Sequence, residues 1–373
     1  MIGTPLAEID TPALLVDLRR LEANLENMQE KADHAGVRLR PHTKTHRAPA
    51  IARKQLAIGA KGVTVAKLGE AEVMASQGIC DIFVANEIAG TLKIHRLLAL
   101  LRSVERLAVG VDDPVHVSML AEGLRAESLP LDVMIDVDTG GSRTGLLPGK
   151  PVLEMARIIA SAPGLRLRGI FTHDGHSYGA GSREEVRAIS FRSQSLMVET
   201  AELLRNSGIP VEDVSVGSTP SLLLGEIQGG VTEIRPGNYA FLDATQSRIL
   251  GTCEGCAQTV LATVISRPTP ERVVLDAGSK SLSESVQQAP GANRGSSYGR
   301  LKAHPGIFIE KIYEEHSCFT IQAGSGLDFP IGRKLEIIAN HACMATNMFD
   351  VILGIRDGRV EEVLPVLCKG KSQ

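Results

Sequence analysis

The sequence predicts an α/β protein: a (β/α)8 TIM-type barrel followed by a mostly antiparallel β-domain. Between Val37 and Ile234, short apolar segments alternate eight times with segments of helical period, which calls for a parallel sheet covered on its faces. Eight such units favour a closed barrel over an open sheet. From near Gly251 the helical period stops and apolar residues alternate with polar ones, as in half-buried antiparallel strands. The expected division is a barrel over residues 12–250 and a β-domain over 251–373, with residues 1–11 joining the latter.

The elements follow in order. Thr11–Asp17 is a short apolar strand, and Asp17 can cap a helix carrying Leu18, Leu21, Leu25 and Met28 until Gly36 stops it. Val37–Arg40 is the first barrel strand. The helix–strand alternation then predicts strands at 62–66, 81–85, 107–111, 131–137, 165–172, 211–216 and 231–234. Helices are expected at 49–58, 68–77, 91–104, 114–126, 152–160, 184–206 and 221–227. Downstream, strands are expected at 259–265, 272–275, 307–312, 335–338, 349–355 and 360–366, with Asp357-Gly358 as a hairpin turn. Residues 285–299, rich in Gly, Ser, Gln and Ala, read as a loop.

Composition excludes several classes. The 373 residues are 43% apolar and 22% charged, with net charge −3 and no long basic run. This suits a large globular core and argues against a nucleic-acid partner. Aromatics are only 3%, and tryptophan is absent, so base or sugar stacking is poorly supported. No basic-then-apolar leader and no 18-residue apolar run occur, so neither secretion nor a membrane is expected. Six cysteines are ordinary for a reduced, cytoplasmic enzyme.

The residues after barrel strands line one mouth, where such folds do chemistry. The first strand delivers Arg40-Pro41-His42-Thr43-Lys44-Thr45-His46; the fifth, the glycine-rich loop 138–145 with Arg143; the sixth, Thr172-His173-Asp174-Gly175-His176-Ser177-Tyr178. The seventh gives Gly217-Ser218-Thr219-Pro220 and the eighth Arg235-Pro236-Gly237-Asn238-Tyr239. A lysine among cationic or polar neighbours can lose its proton and form a Schiff base. Glycines and hydroxyls after the last two strands suit a phosphate. Together they point to pyridoxal phosphate.

Far downstream, Asn340-His341-Ala342-Cys343 follows an apolar strand. In an extended chain, residues two apart face the same way, so His341 and Cys343 can address one ion, zinc by ligand type. The alternative is a core cysteine beside a hydrogen-bonded histidine. Cys253-Glu254-Gly255-Cys256 resembles a redox or zinc motif but lacks a second ligand pair and the strand-then-helix context, so a structural role is expected. Tyr313-Glu314-Glu315-His316 reads as a solvated stretch in a strand or bulge, with a site-facing His316 as the alternative.

RPHTKTH, the Arg143 loop, THDGHSY, VGSTP, RPGNY, EEH and NHAC occur in that order across nearly the whole chain. This set resembles the D-threonine aldolase and D-serine dehydratase group of pyridoxal phosphate enzymes, relatives of alanine racemase with a barrel and a C-terminal β-domain. The resemblance implies that Lys44 is the Schiff-base lysine, and that Arg143 and Tyr178 hold the pyridine ring and its substituents. Ser218, Thr219, Gly237 and Asn238 would bind the phosphate. His341 and Cys343 would hold a divalent ion at the substrate β-hydroxyl: zinc, with manganese or magnesium as alternatives. It also implies a homodimer and a small D-3-hydroxy amino acid as substrate.

Two reactions use this set. In retro-aldol cleavage, the principal expectation, His176 or a metal-bound hydroxide takes the hydroxyl proton, and glycine and an aldehyde result. In dehydration, Lys44 takes the Cα proton and a 2-oxo acid and ammonia result. Some aldolases of the group carry aspartate where this chain has Cys343, as dehydratases typically do not. The tail Asn347-Met348-Phe349-Asp350 resembles the aldolase branch. A racemase would not need the His-x-Cys pair, and a non-catalytic pyridoxal phosphate carrier would resemble only the first 240 residues or so.

Overall fold

The computed structural model describes residues 1–288 and 296–373. Part of the loop expected at 285–299 lies outside them. Its described flanks pair as short antiparallel strands, Gln287–Gln288 with Ser296–Ser297. The chain forms two compact units: one of residues 26–44, 51–237 and 370–373, the other of residues 1–25, 45–50 and 238–369.

The first unit is the barrel. Eight parallel strands run in the order Arg38–Leu39, Glu233–Ile234, Asp213–Val216, Leu165–Phe171, Leu131–Asp136, Arg106–Val111, Asp81–Glu87, Val63–Val65. A parallel bridge between His42 and Thr64 returns the last strand to the first. Strands such as Leu131–Asp136 and Asp213–Val216 are buried along their whole length, as expected for parallel strands covered on both faces. Phe83, Ala108, Met134 and Phe171, from four successive strands, form one buried cluster. The Phe83 and Phe171 rings meet edge to face at 5.0 Å, a favoured quadrupole geometry.

Helix starts follow local capping chemistry. Asp113 accepts from Val115 N–H ahead of Pro114–Gly123, and Ser182 accepts from Glu185 N–H ahead of Arg183–Asn206, each satisfying an orphan donor. Pro114 takes the first helical position, where no N–H is needed.

The second unit is built on a nine-stranded, mostly antiparallel sheet. Gln258–Ser266 is central, pairing antiparallel with Ala13–Asp17, Arg272–Leu275 and Lys334–Ala339. Residues 12–25 and 238–250, expected in the barrel, group with this unit instead. Ala13–Asp17 pairs only within this sheet, parallel to Val351–Arg356 on its other side. A short apolar run does not say which sheet it joins, and this one lies between two strands more than 240 residues away. Val351–Arg356 and Arg359–Pro365 form the hairpin expected around Asp357-Gly358.

Candidate active site

Pro41 ends the first strand, and the chain turns into a 3-10 segment, Thr43–Thr45. Thr43 Oγ1 donates to the Thr64 carbonyl at 3.2 Å, which pins the turn to the neighbouring strand. Lys44 is half-buried, and its N–H faces His42 Nδ1 at 3.5 Å. Burial, with Lys44, Arg235, His173 and Arg143 adding like charge, lowers the His42 pKa well below its ordinary value. Burial and Lys44 likewise lower His173 to about 3, and its Nδ1 lies 3.2 Å from the Gly217 carbonyl. Both shifts favour the neutral imidazole, so Lys44 faces fewer cations than the sequence suggests.

The loop after the fifth strand is held by Asp138, whose Oδ1 accepts from Gly140, Gly141 and Ser142 at 2.9, 2.7 and 3.1 Å. Gly145 has φ +102°, and a Cβ there would lie 2.8 Å from Asp138 N, so this close return needs glycine. Arg143 projects exposed from that loop. His176 and Tyr178 lie in the 3-10 segment Gly175–Gly179. The Tyr178 ring is 6.5 Å from His173, and the buried His176 Nδ1 has no hydrogen-bond partner among the described residues.

Ser218 and Thr219 are both buried, but they differ. Ser218 Oγ is bonded to Ser177 Oγ at 2.8 Å and Ser221 Oγ at 3.0 Å. Among the described residues, buried Thr219 Oγ1 meets no partner, which is costly unless a ligand atom supplies one. Gly217, at φ +132°, leaves a position where a Cβ would strike Leu222 at 2.5 Å. Gly237 lies beyond Pro236, whose carbonyl accepts from His42 N–H at 2.9 Å. The orphan hydroxyl and the hydroxyl-lined turn fit a phosphate.

Two barrel residues were missed as site candidates. Arg235 is buried, with its guanidinium 5.6 and 5.2 Å from the Phe83 and Phe171 rings. It donates to Ser215 Oγ at 2.7 Å and to the Thr172 carbonyl at 2.6 Å. Glu87 is raised to about 7 by burial, with Asp136 and Asp112 adding. Arg235 stood in the quoted RPGNY stretch, so a signal was present; Glu87 followed a strand with no motif around it.

In the second unit, Asp243 organises the downstream pair. Its buried Oδ2 accepts from Asn238 Nδ2 at 2.6 Å and from Ala342 N–H at 3.0 Å, and lies 3.4 Å from His341 Nδ1. Asn238 Oδ1 is buried without a partner among the described residues. Cys343 Sγ donates to Thr45 Oγ1 at 3.2 Å. Burial works against the His341 charge, yet hydrogen bonds with Asp243 and Cys343 raise its pKa to about 10. The expected reason for this pairing is corrected. The strand ends at Ala339, His341 is a helix N-cap, and Cys343 lies in the helix Ala342–Thr346. A helical turn, and not strand alternation, brings imidazole and thiol together. Among the described residues no cluster of three or more metal-ligating side chains is formed. The imidazole–thiol pair, with a carboxylate orienting the ring, still fits a zinc-type ion. His316 is exposed at the turn joining Lys311–Ile312 to Ser317–Thr320, not within a strand.

The family model for the alanine racemase N-terminal domain matches residues 16–245, and one for a serine dehydratase domain matches residues 257–355. The D-threonine aldolase of Arthrobacter sp is 34% identical, over 100% of this chain and 96% of its own length. The crystal structure of D-threonine aldolase from Filomicrobium marinum is 35% identical with a TM-score of 0.91, covering 100% of this chain and 99% of that one. D-threo-3-hydroxyaspartate dehydratase from Delftia sp. HT23 is 34% identical with a TM-score of 0.88, covering 97% of this chain and 98% of that one. A metal-free form of a D-threo-3-hydroxyaspartate dehydratase carries alanine in place of a cysteine. This chain belongs to the family that carries the alanine racemase N-terminal domain and, within it, to the pyridoxal phosphate-dependent lyases that include these aldolases and dehydratases.

Proposed function

We propose that the protein cleaves D-3-hydroxy amino acids by a retro-aldol reaction, giving glycine or another amino acid and an aldehyde. The pairing of His341 with Cys343 beside Asp243, in a chain that also presents Lys44 at a barrel mouth, carries action at a β-hydroxyl, and the likeness to D-threonine aldolases favours cleavage over dehydration. Bound pyridoxal phosphate supplies an electron sink for the pair left when a bond to Cα breaks. Lys44 holds the cofactor, and Arg143 and Tyr178 hold its ring and substituents. Thr219, whose hydroxyl lacks a partner among the described residues, binds the phosphate with Ser218, Gly237 and Asn238.

His341 and Cys343 hold a divalent ion, zinc by ligand type, which would lower the pKa of the β-hydroxyl. With Nδ1 turned to Asp243, ligation by His341 falls to Nε2. His176 takes the hydroxyl proton; its buried Nδ1 without a partner among the described residues supports this role. Dehydration to a 2-oxo acid and ammonia is the second reading, favoured by the thiol of Cys343 and by the similarity to the Delftia dehydratase. A homodimer follows from the resemblance and a cytoplasmic location from the cysteine usage; sedimentation at the 39.8 kDa of one chain would refute the dimer.

Two measurements test these assignments. Lys44→Ala should lose the yellow absorbance of the lysine-bound cofactor, and an unchanged spectrum refutes the role of Lys44. Exhaustive chelation should abolish turnover, with zinc or manganese restoring it. Full activity in metal-free protein refutes the ion site.

A further inference from the structure

The Cys253–Cys256 turn plays no part in the chemistry above. Its ends are joined by Cys256 N–H donating to the Cys253 carbonyl at 3.0 Å. Turns of this kind bring their end Cα atoms within about 7 Å, close to the span a disulfide bridges. Two outside donors fix the turn. Arg20 Nη1 reaches the Cys256 carbonyl at 3.0 Å, and Asn24 Nδ2 the Gly255 carbonyl at 2.9 Å.

The two sulfurs are unlike. Cys253 is half-buried and Cys256 is buried. Cys253 Sγ accepts from Arg300 Nη1 at 3.3 Å. It lines a cavity of about 590 Å³ whose charged walls are Arg20, Arg248, Arg300 and Lys302, against one carboxylate, Glu254. Cys256 Sγ faces inward, 2.9 Å from Ser247 Oγ and 3.6 Å from the Asp243 carbonyl.

We propose that Cys253 and Cys256 form a thiol–disulfide exchange site for small anionic disulfides, with Cys253 attacking and Cys256 resolving. The charges agree with this order. The hydrogen bond from Cys256, with Arg300 adding, lowers the Cys253 thiol to about 5, and the same bond pushes Cys256 up. A thiolate beside a guanidinium is the reactive form of cysteine. The Cys253 thiolate attacks one sulfur of the disulfide, forming a mixed disulfide and releasing one thiolate. Cys256 then gives its proton to water, and its sulfur attacks Cys253 Sγ and expels the second thiolate. The chain's two thiols are oxidised to one disulfide, and the small disulfide is reduced to two thiols.

The test uses the reduced holoenzyme with glutathione disulfide, followed by alkylation and peptide mass mapping. The peptide with both cysteines should lose two hydrogens, take no alkyl group, and recover on dithiothreitol treatment. Cys256→Ser should stop at a glutathionyl adduct on Cys253. Arg300→Gln should slow Cys253 modification about tenfold at pH 7. The proposal is overturned if both cysteines are alkylated as in untreated protein, or if the adduct forms on Cys256. Equally fast reaction at the half-buried Cys80 and Cys318 overturns it too. The wild-type map decides even if a variant fails to fold.

Discussion

Lys44 is surrounded by groups that could each add positive charge, and burial keeps two of them neutral. His173 is lowered from 6.5 to about 3, by burial first and Lys44 second. Between those values the unfolded chain binds a proton that the folded imidazole refuses. The His173 contribution to stability is therefore complete above pH 6.5 and is lost as the pH falls towards about 3. In urea titrations across that window, His173→Gln should show a shallower fall in stability than the parent chain; identical slopes contradict the assignment. Lys44 itself was legible because Pro41 marks a strand end and two histidines flank it. Arg235 and Glu87 were not singled out, because their character comes from what buries them. The spacing of His341 and Cys343 identified the pair, while the reason given, strand alternation, did not hold.

Within the barrel, the strand ends are tied by ion pairs. Arg40 Nε reaches Glu233 at 2.8 Å, and its Nη1 reaches Asp81 at 2.6 Å. Asp213 takes both Arg38 and Arg168, and Asp132 takes Arg166 at 2.6 Å. Glu233 also accepts from Ser215 Oγ at 2.7 Å, which in turn accepts from Arg235. A continuous polar chain thus runs from Asp81 through Arg40, Glu233 and Ser215 to Arg235 and the Thr172 carbonyl. Arg40→Met would leave the buried Glu233 carboxylate without its cation, at a cost of about 3–5 kcal/mol, read as a lower urea midpoint. A midpoint shift worth less than about 0.5 kcal/mol would show the pair to be dispensable. Arg40 opens the same heptapeptide as Lys44, yet it serves the fold.

The alternation of elements was legible because each barrel strand is short, apolar and followed by a helix. Arg272–Leu275 appears at the expected bounds. The helix Ala244–Leu250 and the strand Ser317–Thr320 were missed. The former is polar for most of its length and rests on its Asp243 cap, which accepts from Gln246 N–H at 2.9 Å. The latter gains its strand character from pairing with Arg272–Leu275, a long-range effect that local pattern does not carry.

At the scale of the whole molecule, the proposed site residues divide between the barrel unit and the sheet unit. Lys44, Ser218 and Thr219 belong to the barrel unit; His341, Cys343 and Asp243 belong to the sheet unit. On the proposed reading, a chain with only the first part would be equipped for racemase-like or carrier roles, and the second part would direct the chemistry towards a β-hydroxyl. The aldolase and dehydratase readings draw on the same residues and differ only in which bond breaks. The deciding measurement is product analysis after incubation with D-threonine in the presence of cofactor and zinc. Retro-aldol cleavage predicts glycine and acetaldehyde in equal amounts; 2-oxobutanoate and ammonia would contradict it.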